Sequence, residues 1–259
     1  MSVLITGSFV ADSSSIEIPE PLFRQLRRAD EFIRLGVVAA YNVLQQNGGL
    51  RADGERTGLF LGTAFGPMQT NFDVLDQVVE NEPVSPTLFS HSVFNAAAGY
   101  IASVLGIHGC AITLTDFGFP FFSALEQGMV AIESGHLDSC LILQVETYSD
   151  LLLDAKKAMV PAGEEWFPGA VCWLLEKEDI GAGLLLEKLE IASRTVNGKA
   201  ILQLQEQVQL DGKPVAVMPG YLGAASCLGR ELDTTNPLLI SVIEIESEYG
   251  TVAMDIRGV

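Results

Sequence analysis

The order of apolar and polar positions divides the chain into short buried strands and longer helices. Runs of apolar, β-branched residues predict strands at 3–10, 56–62, 111–115 and 140–145, and further strands near 170–176 and 184–191. Helical periodicity or small apolar residues predict four helices: from Asp30 to Gly48-Gly49, 67–79, 95–105, and 121–132 with Gly135 behind it. The two kinds of element alternate along most of the chain.

This alternation predicts an α/β layered fold built on a mainly parallel sheet. The pattern changes after Ile191. Residues 192–215 predict short β segments around two turn signals, Asn197-Gly198 and Asp211-Gly212. Two final strands are predicted at 238–245 and 250–256. We expect one domain over residues 1–259, with a β-rich tail over 191–259.

Composition restricts the classes of function. Of 259 residues, 48% are hydrophobic, and the formal net charge of −18 disfavours binding to nucleic acid or to anionic membranes. There is no stretch of 18 apolar residues to span a bilayer, and the first residues lack the basic segment of a secretory signal, so a cytoplasmic protein is expected. Four arginines close in sequence can form one local positive face: Arg24, Arg27, Arg28 and Arg34.

Cysteines and histidines do not form a metal or redox motif. Cys110, Cys140, Cys172 and Cys227 are widely spaced without a CxxC pair, and Cys140 and Cys172 lie in apolar runs typical of core positions. The three histidines, His91, His108 and His136, do not have the spacing of metal ligands. We therefore expect no metal site and no cofactor.

Several segments, in order, resemble the ketosynthases of the thiolase-like enzymes. Residues 85–109 carry a proline-containing loop followed by Asn-Ala-Ala-Ala-Gly, similar to the Asn-x-x-Ala-Gly helix that precedes the family's active-site strand. Residues 28–30, 56–63 and 125–140 resemble the family's first helix start, second strand, and the helix and strand after the nucleophile. The resemblance implies a thiolase-like fold with a complete first half over 1–190 and a truncated, β-rich second half. The truncation resembles a short group of chain-length factors, beta-ketoacyl synthase homologues without the active-site cysteine.

In this family, a cysteine at a sharp strand-to-helix turn carries the acyl chain. The corresponding turn here is 115–120, and Gly118 stands where the cysteine belongs, so we expect no catalytic residue at this turn. Asp116 is interpreted as the N-cap of the following helix. Cys110 lies at the wrong end of the strand to replace the nucleophile. The family's second-half histidines are also missing; residues 219–225 resemble one of the histidine-bearing segments, which implies that Tyr221 stands near the position of that histidine.

An unusual group of aromatic residues surrounds this turn. Two interpretations stay open: the rings pack in the core, or they fill a vestigial acyl pocket and form a wall at a partner interface. The predicted pocket or interface residues are Asp116, Phe117, Gly118, Phe119, Phe121 and Phe122.

The resemblance implies a non-catalytic subunit that forms a heterodimer with an active beta-ketoacyl-ACP synthase. The setting would be type II polyketide, aryl polyene or fatty-acid-like biosynthesis. Strand 111–115 would be an apolar edge that pairs with the partner, or with a second copy when the partner is absent. The alternatives are a decarboxylase or acyltransferase with a rebuilt site, and a stand-alone module that binds acyl carrier protein.

Overall fold

The computed structural model describes residues 2–13, 16–160, 163–178, 182–196, 201–202, 204–232 and 240–259. The strands are β1 (Val3–Asp12), β2 (Thr57–Thr63), β3 (Ala111–Thr115), β4 (Ser139–Glu146), β5 (Gly169–Lys177), β6 (Leu184–Ser193), β7 (Gln207–Leu210), β8 (Lys213–Val215), β9 (Ile240–Ser247) and β10 (Gly250–Gly258). The helices are α1 (Phe23–Leu26), α2 (Glu31–Gln46), α3 (Met68–Val79), α4 (Pro86–His91), α5 (Ala96–Leu105), α6 (Pro120–Glu133), α7 (Asp150–Met159) and α8 (Gly223–Glu231).

The described strands form one sheet in the order β3-β2-β4-β5-β1-β6-β10-β9-β7-β8. Only β2 pairs in parallel, with β3 on one side and β4 on the other. The remaining pairings in the sheet are antiparallel. The prediction of a mainly parallel sheet was therefore wrong, because apolar alternation shows which strands are buried and not which way each one runs.

Two hydrophobic cores lie on opposite faces of the sheet, and β4 shows how the sequence builds both. Cys140 and Ile142 face the core that contains α6 and α8, whereas Leu141 and Leu143 face the core that contains α2 and α5. All eight residues of β4 are buried, which explains its nearly continuous apolar sequence. Helices thus cover the first five strands on both faces, giving the predicted layered α/β arrangement.

The predicted signals at both ends of α2 are confirmed. The Asp30 carboxylate accepts a hydrogen bond from the Ile33 N–H (2.9 Å) as the N-cap, and its other oxygen accepts one from the Thr70 hydroxyl of α3 (2.8 Å). Behind the helix, Gly48 and Gly49 adopt φ values of 80° and 91°, which glycine tolerates best. This helix packs against β1, β4 and β5 and forms much of one core.

Within the described residues, the tail adds two hairpins to the sheet, β7–β8 and β9–β10, with helix α8 between them. Asp211 (φ 52°) and Gly212 (φ 72°) form the predicted turn between β7 and β8, while Asn197-Gly198 lies outside the described residues. In β9, Ile243 and Ile245 are buried and Glu244 and Glu246 are exposed, so the tail sheet buries one face and leaves the other to solvent. No helix within the described ranges is long and apolar enough to cross a membrane.

Candidate functional site

The first feature of the site is the edge strand β3. It pairs with β2 on one side only, and its five residues are exposed or half-buried, with 42% of Ile112 exposed. Helices α5 and α6 both contact it. The expectation of an apolar open edge at 111–115 is thus confirmed within the described sheet.

A long uncharged segment leads into this edge, and our reading of the sequence missed it. Residues 83–115 contain no Asp, Glu, Lys or Arg, although 19% of the chain is charged. The same segment exposes several large apolar side chains: Val84, Phe89, Val93, Phe94 and Ile112. Its signal was present in the sequence as a gap in the charge pattern. Exposed apolar residues grouped in an uncharged region are typical of protein–protein interfaces.

The turn between β3 and α6 is held by Asp116. One carboxylate oxygen accepts a hydrogen bond from the Gly118 N–H, and the other accepts one from the Ser123 hydroxyl, both at 2.7 Å. The N-cap position of α6 is occupied by Phe119, with Pro120 as the first helical residue. The interpretation of Asp116 as the N-cap was therefore wrong. Its carboxylate instead holds the turn that precedes the helix.

Gly118 is buried at this turn, beneath the side chain of Tyr249. A Cβ atom added to Gly118 would lie 3.2 Å from Tyr249 Cβ and 3.3 Å from Asp116 Oδ1. Tyr249 itself is buried and lies in the turn that joins β9 to β10. The tail of the chain therefore occupies the space into which a side chain at position 118 would project.

The structure separates the four phenylalanines near the turn into two groups. Phe119, Phe121 and Phe122 are buried in the core on the α6 face, where Phe121 packs edge-on against Trp173 of β5 (ring centroids 4.9 Å apart). Phe117 instead leaves 41% of its surface exposed. Of this group, only Phe117 is placed to meet another molecule.

Phe65, which follows β2, is the centre of an aromatic cluster that supports Phe117. The ring centroid of Phe65 lies 5.6 Å from that of Phe117 and 4.9 Å from that of Tyr221, both in edge-to-face geometry. Tyr148 and Trp166 complete the cluster, 6.0 and 6.2 Å from Phe65. Such pairs each contribute about 0.5–1.5 kcal/mol beyond the area they bury. Phe117 is therefore seated on an ordered aromatic surface.

Glu146, at the end of β4, is a buried carboxylate that our sequence interpretation also missed. It accepts hydrogen bonds from Ala64 N–H (2.7 Å), Phe65 N–H (3.4 Å) and the Thr63 hydroxyl (3.2 Å), and from the Gln144 side-chain amide (3.1 Å). Burial raises its pKa to about 7, although these donors act in the opposite direction. Glu146 thus fixes the backbone that carries Phe65.

Tyr221 joins the tail to this cluster. Its hydroxyl donates to the Ile201 carbonyl (3.0 Å), and its own carbonyl accepts from the Gln144 amide (2.7 Å). Burial, followed by the neighbouring Tyr249 hydroxyl, raises the pKa of Tyr221, so the phenol stays neutral. It stands in the aromatic cluster beside the turn, and whether it aligns with a lost histidine stays a prediction.

A separate cavity of about 640 Å³ lies beside the tail, between α7 and the segment before α8. Lys156, Trp166, Glu206 and Met218 are among the residues that line it. The half-buried Glu206 carboxylate accepts from the Ala224 N–H at the start of α8 (2.7 Å), and burial raises its pKa to about 8. The Glu206 carboxylate therefore has a structural role, because it binds the N-terminus of α8.

The remaining candidates lie apart from the turn. Cys110 is exposed, and its thiol pKa is raised, chiefly by partial burial, which makes it a poorer nucleophile. The four arginines of the predicted positive face are all exposed. Across the described part of the chain, no group of three or more His, Cys, Asp or Glu residues is arranged to hold a metal ion.

The fold and the turn together define a thiolase-like layered α/β protein with a shortened second half. The profile of the family described as "Beta-ketoacyl synthase, N-terminal domain" matches residues 9–156, more than half of the chain. The chain belongs to this family. No curated protein sequence matches it.

Solved structures agree on the fold. A chain of the ishigamide ketosynthase/chain length factor is 18% identical with a TM-score of 0.63, covering 74% of this chain and 68% of that one. A ketosynthase (ApeO) in complex with its chain length factor (ApeC) from Xenorhabdus doucetiae gives 19% identity and a TM-score of 0.56, covering 74% and 84%. AntDE:AntF, a type II PKS acyl-carrier protein in complex with its ketosynthase bound to the hexaketide, gives 18% and 0.62, covering 74% and 70%.

Proposed function

We propose that the chain is a non-catalytic, chain-length-factor-like subunit that pairs with an active beta-ketoacyl-ACP synthase. The setting is type II polyketide, aryl polyene or fatty-acid-like biosynthesis in the cytoplasm. Structural similarity to ketosynthase complexes with their chain length factors supports this assignment. All four cysteines are free thiols, which is ordinary in a reducing compartment.

The turn supports the absence of covalent acyl chemistry. A ketosynthase-type mechanism needs a thiolate at the strand-to-helix turn and a base or hydrogen-bond donor, such as histidine, near it. Here Gly118 occupies the turn, and the space in front of it is taken by Tyr249. No histidine follows His136 in the sequence. A decarboxylase or acyltransferase would need a catalytic group that these positions do not supply.

The open edge of β3 is the observation that best supports pairing with a ketosynthase subunit. Unpaired backbone groups on an exposed apolar edge favour addition of another strand. The uncharged segment 83–115 also exposes apolar side chains on α4 and in the loop between α4 and α5, and burying it would require desolvation of no Asp, Glu, Lys or Arg side chain of its own. These features fit a partner that presents a similar edge strand.

Phe117 is the residue through which the subunit would influence chain length. It lies two residues after the end of β3 and is half exposed, so pairing at β3 brings it near the partner. A fixed ring opposes growth of an acyl chain by about 1–3 kcal/mol for an overpacked contact. Free space would instead favour growth by about 0.8 kcal/mol per buried methylene. The difference is large enough to define a preferred product length.

A charge placed on β3 tests the pairing, with a matched control at the far end of the sheet. We expect Ile112→Glu to abolish co-purification with a co-expressed, cysteine-bearing ketosynthase, because the interface would have to bury a carboxylate. Val242→Glu makes the same kind of change on an exposed strand residue of β9, 48% exposed, and should leave the complex intact. If both variants co-purify like the unmodified chain, β3 is not the pairing edge.

A further inference from the structure

The exposed ring of Phe117 depends on a buried support that extends from β4. Phe117 packs edge-on against Phe65, and Phe65 directly follows Ala64, whose N–H is bonded to Glu146 at 2.7 Å. The Phe65 N–H itself is bonded to the other carboxylate oxygen, at 3.4 Å. One buried side chain therefore restrains the backbone on which the supporting ring is mounted.

The same carboxylate also restrains the aromatic cluster through the side chain of Gln144. The Gln144 amide donates both to Glu146 and to the Tyr221 carbonyl (2.7 Å), and the Tyr221 ring packs edge-on against Phe65, with centroids 4.9 Å apart. The Thr63 hydroxyl, which donates to Glu146, also accepts from the Gly66 N–H (2.9 Å). Hydrogen bonds to one carboxylate, made directly or through Gln144, thus restrain both the turn that carries Phe65 and the neighbouring Tyr221.

We propose that Glu146 is a positioning residue for chain-length control: through Phe65 it fixes the orientation in which Phe117 is presented to the partner subunit. This rests on the proposed function, since Phe117 controls length only within a complex. The contacts from Glu146 through Phe65 to Phe117 are present in the isolated chain. The proposal assigns a specificity role to Glu146, a residue with no exposed surface.

The protonation state of Glu146 gives this role a measurable signature. Burial raises its pKa to about 7, so the carboxylate gains and loses its proton near neutral pH. The titratable groups that face it are the Tyr148 and Tyr221 hydroxyls, whose pKa values are raised and which stay neutral in this range. Protonation turns one acceptor oxygen into a donor and weakens the hold on the Ala64–Phe65 backbone.

The test uses fluorine NMR on the isolated chain, with Phe117 replaced by 4-fluorophenylalanine. We expect its resonance to shift with pH, with a midpoint near 7, and Glu146→Gln to abolish this titration. Glu206→Gln is the control and should leave the titration in place, because Glu206 is a half-buried carboxylate whose pKa is also raised, to about 8, but which contacts α8. Phe65→Leu should displace the resonance at every pH. A resonance that does not titrate, or that titrates equally in Glu146→Gln, overturns the proposal.

Product profiles of the reconstituted complex separate this proposal from the proposed function. We expect Glu146→Gln to broaden the distribution of product lengths while the amount of complex stays unchanged. If the fluorine titration behaves as expected but no ketosynthase complex forms, the proposed function fails and the positioning contact stands. If the complex forms and both Glu146→Gln and Phe65→Leu leave product length unchanged, the specificity role of Glu146 is wrong. If Glu146→Gln does not fold, Phe65→Leu and the titration of the unmodified chain decide.

Discussion

At the scale of single residues, the turn between β3 and α6 is held by hydrogen bonds and packed by a side chain from the tail. Asp116 binds Gly118 and Ser123, and Tyr249 packs over Gly118 from the far end of the chain. That Gly118 stands at the family's nucleophile position stays a prediction from the sequence. The sequence did not predict Tyr249 beside Gly118, because the two positions are 131 apart in numbering and the hairpin between β9 and β10 brings them together.

The first residue-scale prediction concerns Gly118→Cys. The new Cβ would meet Tyr249 Cβ at 3.2 Å, so we expect a loss of about 1–3 kcal/mol in the free energy of unfolding, measured by urea titration. We also expect no acyl adduct by intact mass spectrometry with acyl-carrier-protein substrates. Gly99→Cys is the control, since a Cβ at Gly99 meets nothing within 4 Å. Stability equal to that of Gly99→Cys would contradict the packing of Tyr249 on this turn.

The second residue-scale prediction separates Phe117 from its buried neighbours. Phe117→Ala should lengthen the products of the reconstituted pair without loss of turnover, because it removes a half-exposed ring. Phe119→Ala and Phe122→Ala should instead lower the free energy of unfolding by about 3–5 kcal/mol, because both rings are buried in the core. Unchanged product length in Phe117→Ala, with the complex intact, would show that this ring does not set the length of the product.

Glu146 shows what residue-level sequence interpretation can miss. The run Cys140 to Val145 was interpreted as a buried apolar strand, and β4 confirms it. Gln144 and Glu146, however, lie on the same face at its end, and two polar residues on a buried strand face require partners. That signal was present in the sequence. The partners, at Ala64, Phe65 and Tyr221, depend on the fold and had no local signal.

At the scale of elements, the helices and strands with strong local sequence signals were predicted correctly, and helices with weak signals were missed. The strands and the helices α2, α3, α5 and α6 lie where the pattern placed them, within the described residues. Helices α1, α4, α7 and α8 were not predicted. In α7 Lys156 is the one buried residue, so the helix lacks a fully buried apolar face, and α8 carries two glycines that lower helix propensity. Tertiary packing stabilises these helices and is not visible in a local pattern, whereas the serine N-caps of α4 and α7, Ser85 and Ser149, were a local signal that our interpretation missed.

The element-scale prediction concerns the N-terminus of α2. Asp30 both caps this helix and accepts a hydrogen bond from Thr70 of α3, so Asp30→Ala should lower the free energy of unfolding by about 1–2 kcal/mol. Asp53→Ala removes a similar but exposed cap of a short 3₁₀ turn, whose carboxylate accepts from the Glu55 N–H. Urea unfolding of both variants compares them. An equal, small loss in the two would mean that the link to α3 adds nothing.

At the scale of the whole molecule, the first half of the family fold is complete in this chain and the second is represented by a β-rich tail. The tail joins the first half in one sheet because its strand β10 pairs with β6. Its exposed face carries ion pairs such as Arg257–Glu187 (2.7 Å), so it is suited to water. That residues 1–259 behave as a single domain stays a prediction. The tail supplies Tyr249 and Tyr221, which close the turn region of the first half.

The central claim is that this chain is a non-catalytic partner of an active ketosynthase. Native mass spectrometry of the co-expressed pair, after incubation with acyl-loaded carrier protein, tests it most directly. The account predicts a complex with one copy of each subunit, in which the acyl group is attached to the partner. Persistence of this 27.8 kDa chain as a monomer beside its cognate ketosynthase, or a stable acyl adduct on the chain itself, would contradict the account.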